Sequence, residues 1–305
     1  MGGCRCDLGL GSLGRPNCVP IQSVTKRFIF VEMNDANRIN LTSSPTDLVP
    51  GWQDKPTNTN VHQRWFPSPI FESIALPKAD SKFEEAPSGR KVFIRQGKRS
   101  FTGEFWAEDS HPAILKSLKA YKCVKFGVFM VDINGNLVGI KDGSWLKPIE
   151  VDAASFDPQM SFADDNAIQK IKIQFDFALS VKEEDLFMLT AEEYGFNFLT
   201  DLDVPMPVEI YLEPFADGNN AITIDVANPF ISNPTGQGVE GLDDTAFLVT
   251  DETTNSAYTL GLVVDNGNGN YLLNLTGDLV GGHTVSVIVV DANYSGEASA
   301  IVLPA

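Results

Sequence analysis

The chain has 305 residues, of which 43% are hydrophobic and 10% aromatic, with a formal net charge of −17. That is enough apolar content to bury cores in two domains or one large one. No window reaches 18 apolar residues and no hydrophobic h-region opens the chain, so the expectation is no membrane span, no secretory signal, and folding in a cytoplasm with its cysteines as thiols.

The charge is unevenly placed. Residues 1–204 hold all 23 Lys and Arg against 27 acids, a balance of −4, whereas residues 205–305 hold 13 acids and no Lys or Arg. Such a surface repels phosphates, which excludes groove-reading or nonspecific nucleic-acid binding and is compatible with DNA passing without adhering.

The first element is the Gly-rich run MGGCRCDLGLGSLGRPNC. It contains a literal G-x-G-x-x-G at Gly9, Gly11 and Gly14. A dinucleotide loop needs a buried strand before those glycines and a helix after them, and neither MGGCRCDL nor Arg15-Pro16-Asn17 supplies one. Gly2 is present for myristoylation, but position 6 is Cys6 rather than Ser or Thr. Cys4, Cys6 and Cys18 offer three thiolates where a structural zinc takes four ligands, and Cys123 could complete the set only through the fold. The favoured reading is an extended arm over residues 1–20, with no metal and no cofactor.

The next 180 residues read as mainly β. Strands are expected at RFIFVEM (27–33), KVFIRQG (91–97), RSFTGEFWAE (99–108), VKFGVFMVDI (124–133), LVGI (137–140) and IQKIKIQFDFAL (168–179). Residues 34–90 read as a long proline-rich loop region, whose length calls for a function such as pairing with neighbouring subunits. One helix is expected over 111–123, with Ser110 as N-cap and Pro112 in its first turn. KEEDLFML (182–189) reads as a second short helix. VDINGNLVGI reads as a hairpin turning at Asn134-Gly135. Its Asp132, Asn134 and Asn136 imitate a calcium loop, but the glycine stands fourth rather than sixth and Gly143 occupies the place of the terminal Glu.

Val204-Pro205-Met206-Pro207 marks the domain boundary, where the basic residues stop. Beyond it seven short strands follow: 208–212, 221–227, 245–250, 258–264, 270–275, 284–290 and 298–303, joined by turns such as DNGNGN and DANYSGE. That spacing is the pattern of an acidic, disulfide-free immunoglobulin-like sandwich over residues 205–305.

Signs of catalysis are poor. Asp164-Asp165, Asp243-Asp244 and Glu183-Glu184-Asp185 are adjacent acids of the kind found on solvated turns, not a pair facing across an aromatic cleft. Trp52, Trp65, Trp106 and Trp145 fall in loops or at strand edges, where packing or subunit contacts explain them better than ligand stacking. The expectation is a protein that is not an enzyme.

A resemblance supplies the rest. GRPNCVPIQSVTKRFIFV, RWFPSPIFESI, PKADSKFEEAPSGRKVFIRQGKRSFTGEFW, CVKFGVFMVDINGNLVGI and FADDNAIQKIKIQFDFALSVKEEDL follow one another in an order that resembles structural virion proteins of tailed phages infecting Bacteroidota hosts, over roughly residues 1–200. Among these the closest fit is the tail tube protein. The resemblance implies a β-sandwich or barrel domain with one flanking helix over 21–204, and homo-oligomers as stacked hexameric rings contacting other tail proteins. It also implies a lumen that conducts DNA without specific binding, in a virion tail assembled in the host cytoplasm. The Ig-like domain would project outward, with weak contact to cell-surface glycans. Arg5, Arg15, Trp52 and Trp65 would serve subunit contacts. A head decoration or head-fibre protein and a carbohydrate-binding tail-fibre module are the alternatives.

Overall fold

The computed structural model describes residues 21–304, apart from 59, 96, 123, 203, 231–237 and 292. Strands take 46% of the chain and helical turns 14%, so the protein is mainly β, in several sheets that include a half-barrel. Among the described residues, those up to Lys55 and within His62–Leu202 form one compact unit, and those within Pro56–Val61 and Asp203–Ala305 form the second.

The first unit runs β1 (Thr25–Glu32), β2 (Ile39–Asn40), α1 (Pro45–Gln53), β3 (Trp65–Pro67), β4 (Ser73–Ala75), β5 (Lys82–Glu85), β6 (Lys91–Arg95) and β7 (Ser100–Trp106). It continues with α2 (Pro112–Ala120), β8 (Phe126–Asp132), β9 (Leu137–Asp142), β10 (Trp145–Lys147), β11 (Ile149–Glu150), β12 (Asp157–Ser161), β13 (Lys170–Asp176), β14 (Leu186–Leu189) and α3 (Ala191–Tyr194). One sheet has the order β2-β10-β9-β8-β1-β3, with β11 also on β8 and β14 also on β9. A second has the order β12-β13-β7-β4, and β5 and β6 form a two-stranded sheet of their own among the described residues.

Side-chain alternation explains the layering. Phe28 and Phe30 of β1 point into a core shared with Phe101 and Phe105 of β7, Ile171, Ile173 and Phe175 of β13, and Leu118 of α2. Ile29 and Val31 point the other way, into a core with Trp52, Phe129, Phe196 and Phe198. The central strands β1 and β8 are therefore apolar on both faces, and β8 is buried along its whole length. On β13 the pattern KIKIQFD buries every second residue, as a sheet with one wet face requires.

Helix α2 starts one residue later than expected. His111 is its N-cap, accepting from the Ala113 N–H at 3.2 Å, and Pro112 is the first helical residue. Ser110 instead donates to the Gln169 carbonyl at 3.1 Å. Glu183–Asp185 form one 3₁₀ turn and Leu186–Leu189 a strand paired with β9, so the helix expected over 182–189 is corrected. Sheet pairing outweighs the weak helical pattern of KEEDLFML. Residues 34–90 also contain more order than their prolines suggest, including α1 with Pro45 at its start. The expected hairpin turns where it should: Gly135 takes φ +78°, the left-handed conformation that glycine adopts without strain.

The second unit comprises β15 (Met206–Pro207), β16 (Glu209–Leu212), β17 (Ala221–Ala227), β18 (Phe247–Asp251), β19 (Ser256–Tyr258), β20 (Leu260–Gly267), β21 (Asn270–Leu275), β22 (Thr284–Val290) and β23 (Tyr294–Ile301). Its sheets have the orders β15-β23-β22-β18-β19 and β16-β17-β21-β20. That is the strand order of an immunoglobulin-like sandwich with its first strand split between the two sheets. Ile222, Ile224, Val249, Leu273, Val285 and Val287 fill its core. The buried Tyr271 hydroxyl donates to the Val239 carbonyl at 2.7 Å, which anchors the connection before β18. Among the described residues no helix is long and apolar enough to cross a membrane.

Candidate functional site

Of the residues singled out in the sequence, Cys4, Cys6, Cys18, Cys123, Arg5 and Arg15 lie outside the described residues. Trp52 and Trp65, expected at subunit contacts, are core residues instead, 3% and 1% exposed. Trp52 packs on Tyr194, Phe196 and Phe198 with ring centroids 4.9–5.7 Å apart, and Trp65 lies 5.4 Å from Phe129. Large aromatic surfaces next to short, proline-rich elements are buried inside the subunit because those elements fold back over the sheet.

The acidic clusters have local roles. Asp243 caps the 3₁₀ turn Asp244–Ala246, accepting from the Thr245 hydroxyl and N–H, which hold its carboxyl below the usual range. Asp164 accepts from the N–H groups of Asn166 and Ala167, each at 2.8 Å. Asp132 is fully buried and accepts from the backbone of Ser23, Asn134 and Asn136 and from the Asn136 amide. Among the described residues no group of three His, Cys, Asp or Glu converges to hold a metal ion.

The feature that the first unit leaves unexplained is a β-ribbon. Strands β4 and β7 pair within the sheet, the bridge Lys78↔Arg99 continues the ladder, and β5 and β6 carry it on to a turn at Pro87-Ser88-Gly89. Among the described residues no other strand flanks β5 or β6. Phe83 and Phe93 are 54% and 56% exposed, in edge-to-face contact at 5.6 Å, and Val92 and Ile94 beside them are also exposed. Four large apolar side chains on one isolated ribbon form the kind of surface that another chain covers. The sequence named this stretch only as strand and loop; its short apolar runs, Phe83 and Val92-Phe93-Ile94, each flanked by charges, were the available signal.

The base of the ribbon is clamped. Glu183 accepts from Arg99 Nε at 2.8 Å and from Lys78 Nζ at 2.9 Å, and Lys98 Nζ donates to Asp152 at 3.0 Å. A Cβ at Gly97 would land on the Ala79 carbonyl, so only glycine lets the two strands approach there. The Arg99 and Lys78 bonds hold the Glu183 carboxyl below the usual glutamate range, against the opposing effect of partial burial. A depressed folded-state value means that this stabilisation is complete above the ordinary glutamate range and is lost as pH falls through the lower, folded one. Glu183→Gln should therefore cost under about 1 kcal/mol near neutrality, since the group is partly solvated, and should flatten the acid limb of the stability curve. Thermal melts between neutral and acidic pH check this; an unchanged acid limb would refute the clamp.

Beside the clamp lies a cleft of about 200 Å³, lined mainly by Leu76, Met130, Ile149, Phe177 and Leu179. It falls below the size of ordinary ligand sites. Glu183, on its wall, is a fixed anion with two cationic partners, not a poised acid. No family model matches the chain, and no curated protein matches it in sequence.

Proposed function

We propose that the protein is a self-assembling structural subunit of a tailed-phage virion, a tail tube protein that forms stacked six-fold rings and conducts DNA during ejection. The observation that carries this reading is the ribbon of β5 and β6, which holds four large apolar side chains in water in the single chain. Covering them on a neighbour would yield roughly 1 kcal/mol or more per side chain, given that each is already about half buried. Among the described residues, β3, β4 and β12 stand at sheet edges, which add further pairing sites that closure between subunits would satisfy. The −4 balance of residues 1–204 suits a lumen past which a phosphate backbone slides, and the cation-free second unit suits an outward, solubilising position.

The test is negative-stain electron microscopy of the purified full chain, with light scattering on the same sample. Rings or hollow tubes are the expected result. A 33.3 kDa monomer at high concentration would refute self-assembly. A monomer that binds empty capsids would point to a head decoration protein.

A further inference from the structure

The β12–β13 loop carries a second exposed apolar patch, of the opposite charge to the ribbon. Phe162 is 79% exposed and Ile168 is 48% exposed, flanking Asp164 and Asp165. Residues 157–169 hold three acids and no base, whereas the whole ribbon, residues 82–95, holds four bases against two acids, Glu84 and Glu85. Each patch thus combines exposed large apolar side chains with a net charge, and the two net signs are complementary.

Their positions in the fold decide how they meet. Strand β7 pairs with β13 from Trp106↔Lys170 to Ser100↔Asp176. The ribbon continues from the Ser100 end and the β12–β13 loop opens at the Lys170 end, so the two patches leave opposite ends of one sheet whose paired length alone is about 20 Å. Both are exposed in the single chain, so neither covers the other. We infer that the ribbon tip of one copy docks on the β12–β13 loop of a second copy. Phe83 and Phe93 would meet Phe162 and Ile168, with Arg90 and Lys91 facing Asp165. Because the two surfaces differ, the contact is heterologous and repeats from copy to copy along the strand direction. This inference rests on the self-assembly reading above, and it names the two surfaces that carry one of its contacts.

The test cross-links the wild-type full chain with a zero-length carbodiimide after mixing heavy- and light-isotope protein before assembly. Peptides joining Lys82 or Lys91 to Asp164 or Asp165 in mixed heavy–light form are the expected product. Arg90→Glu and Asp165→Lys should each weaken self-association about tenfold, and the two together should restore it. Assembly with cross-links from the ribbon to some other segment, or with no rescue by the double reversal, overturns this docking and leaves self-assembly standing. A wild-type chain that never associates overturns both.

Discussion

Phe28→Ala is expected to lower the stability of the first unit by about 3–5 kcal/mol, the loss measured for large aromatic truncations in packed cores. Phe28 is fully buried in the middle of β1, with ring centroids 4.5 Å from Phe101, 5.6 Å from Phe71 and 5.7 Å from Phe175. Its ring spans the gap between the two sheets, so truncation leaves a void that strands held by ladders on both sides cannot close. In a domain of this size each kcal/mol moves the midpoint by roughly 2–4 °C, so the first unit should melt about 10 °C lower. The second unit has its own core around Ile222, Ile224 and Val287, and its transition should stay in place. Differential scanning calorimetry separates the two. An equal shift of both transitions, or a loss below about 1 kcal/mol, would contradict the core assignment.

Asp132→Ala is expected to cost about 3 kcal/mol or more, for a different reason. The carboxylate is fully buried and collects four donors: Ser23 N–H at 3.1 Å, and the N–H groups of Asn134 and Asn136 with the Asn136 amide, each at 2.9 Å. Deleting it strands several donors at once, and each unsatisfied buried group costs about 1–3 kcal/mol. Asp132→Asn keeps one acceptor oxygen and should lose about half as much. Chemical denaturation of both variants measures the difference. Calcium should leave the wild-type midpoint unchanged, because the oxygens that would bind a cation are already engaged by N–H donors. A calcium-dependent rise would contradict the reading of this loop as a plain hairpin turn.

The ribbon contact and the Glu183 clamp are independent of these core effects. Substitutions at the ribbon tip should alter association with little change in melting, whereas Phe28→Ala should alter melting whatever the state of assembly. That separation is useful because a destabilised subunit also assembles poorly, and the two causes otherwise look alike.

Much of the architecture was legible in the sequence because it depends on local periodicity. The second unit's strands at 221–227 and 270–275 occur at those residues, since alternation of apolar and polar side chains specifies a half-buried strand directly, and the apolar run at 284–290 is a strand buried on both faces. The Asn134-Gly135 turn and the helix after Pro112 were legible for the same reason: a glycine at positive φ and a proline at the first helical position act within a few residues. The charge contrast between the two halves of the chain is likewise a property of composition alone.

What depends on distant partners was not legible. Strand β14 carries the sequence LFML, equally suited to a helix, and becomes a strand because its four residues find the exposed edge of β9. Helix α1 contains Pro50 and has few helical signals of its own; it is held by Trp52 against the aromatic rings of Tyr194, Phe196 and Phe198, over 140 residues further on. Those same contacts moved Trp52 from an expected surface role into the core. The sequence by itself determined the mainly β character and the charge contrast between residues 1–204 and 205–305, because each follows from short-range pattern or summed charge. Only the tertiary structure decided which aromatic residues are buried and which, on the β5–β6 ribbon and the β12–β13 loop, remain exposed. Burial of these aromatic residues depends on what the rest of the chain brings alongside, which their local patterns do not encode.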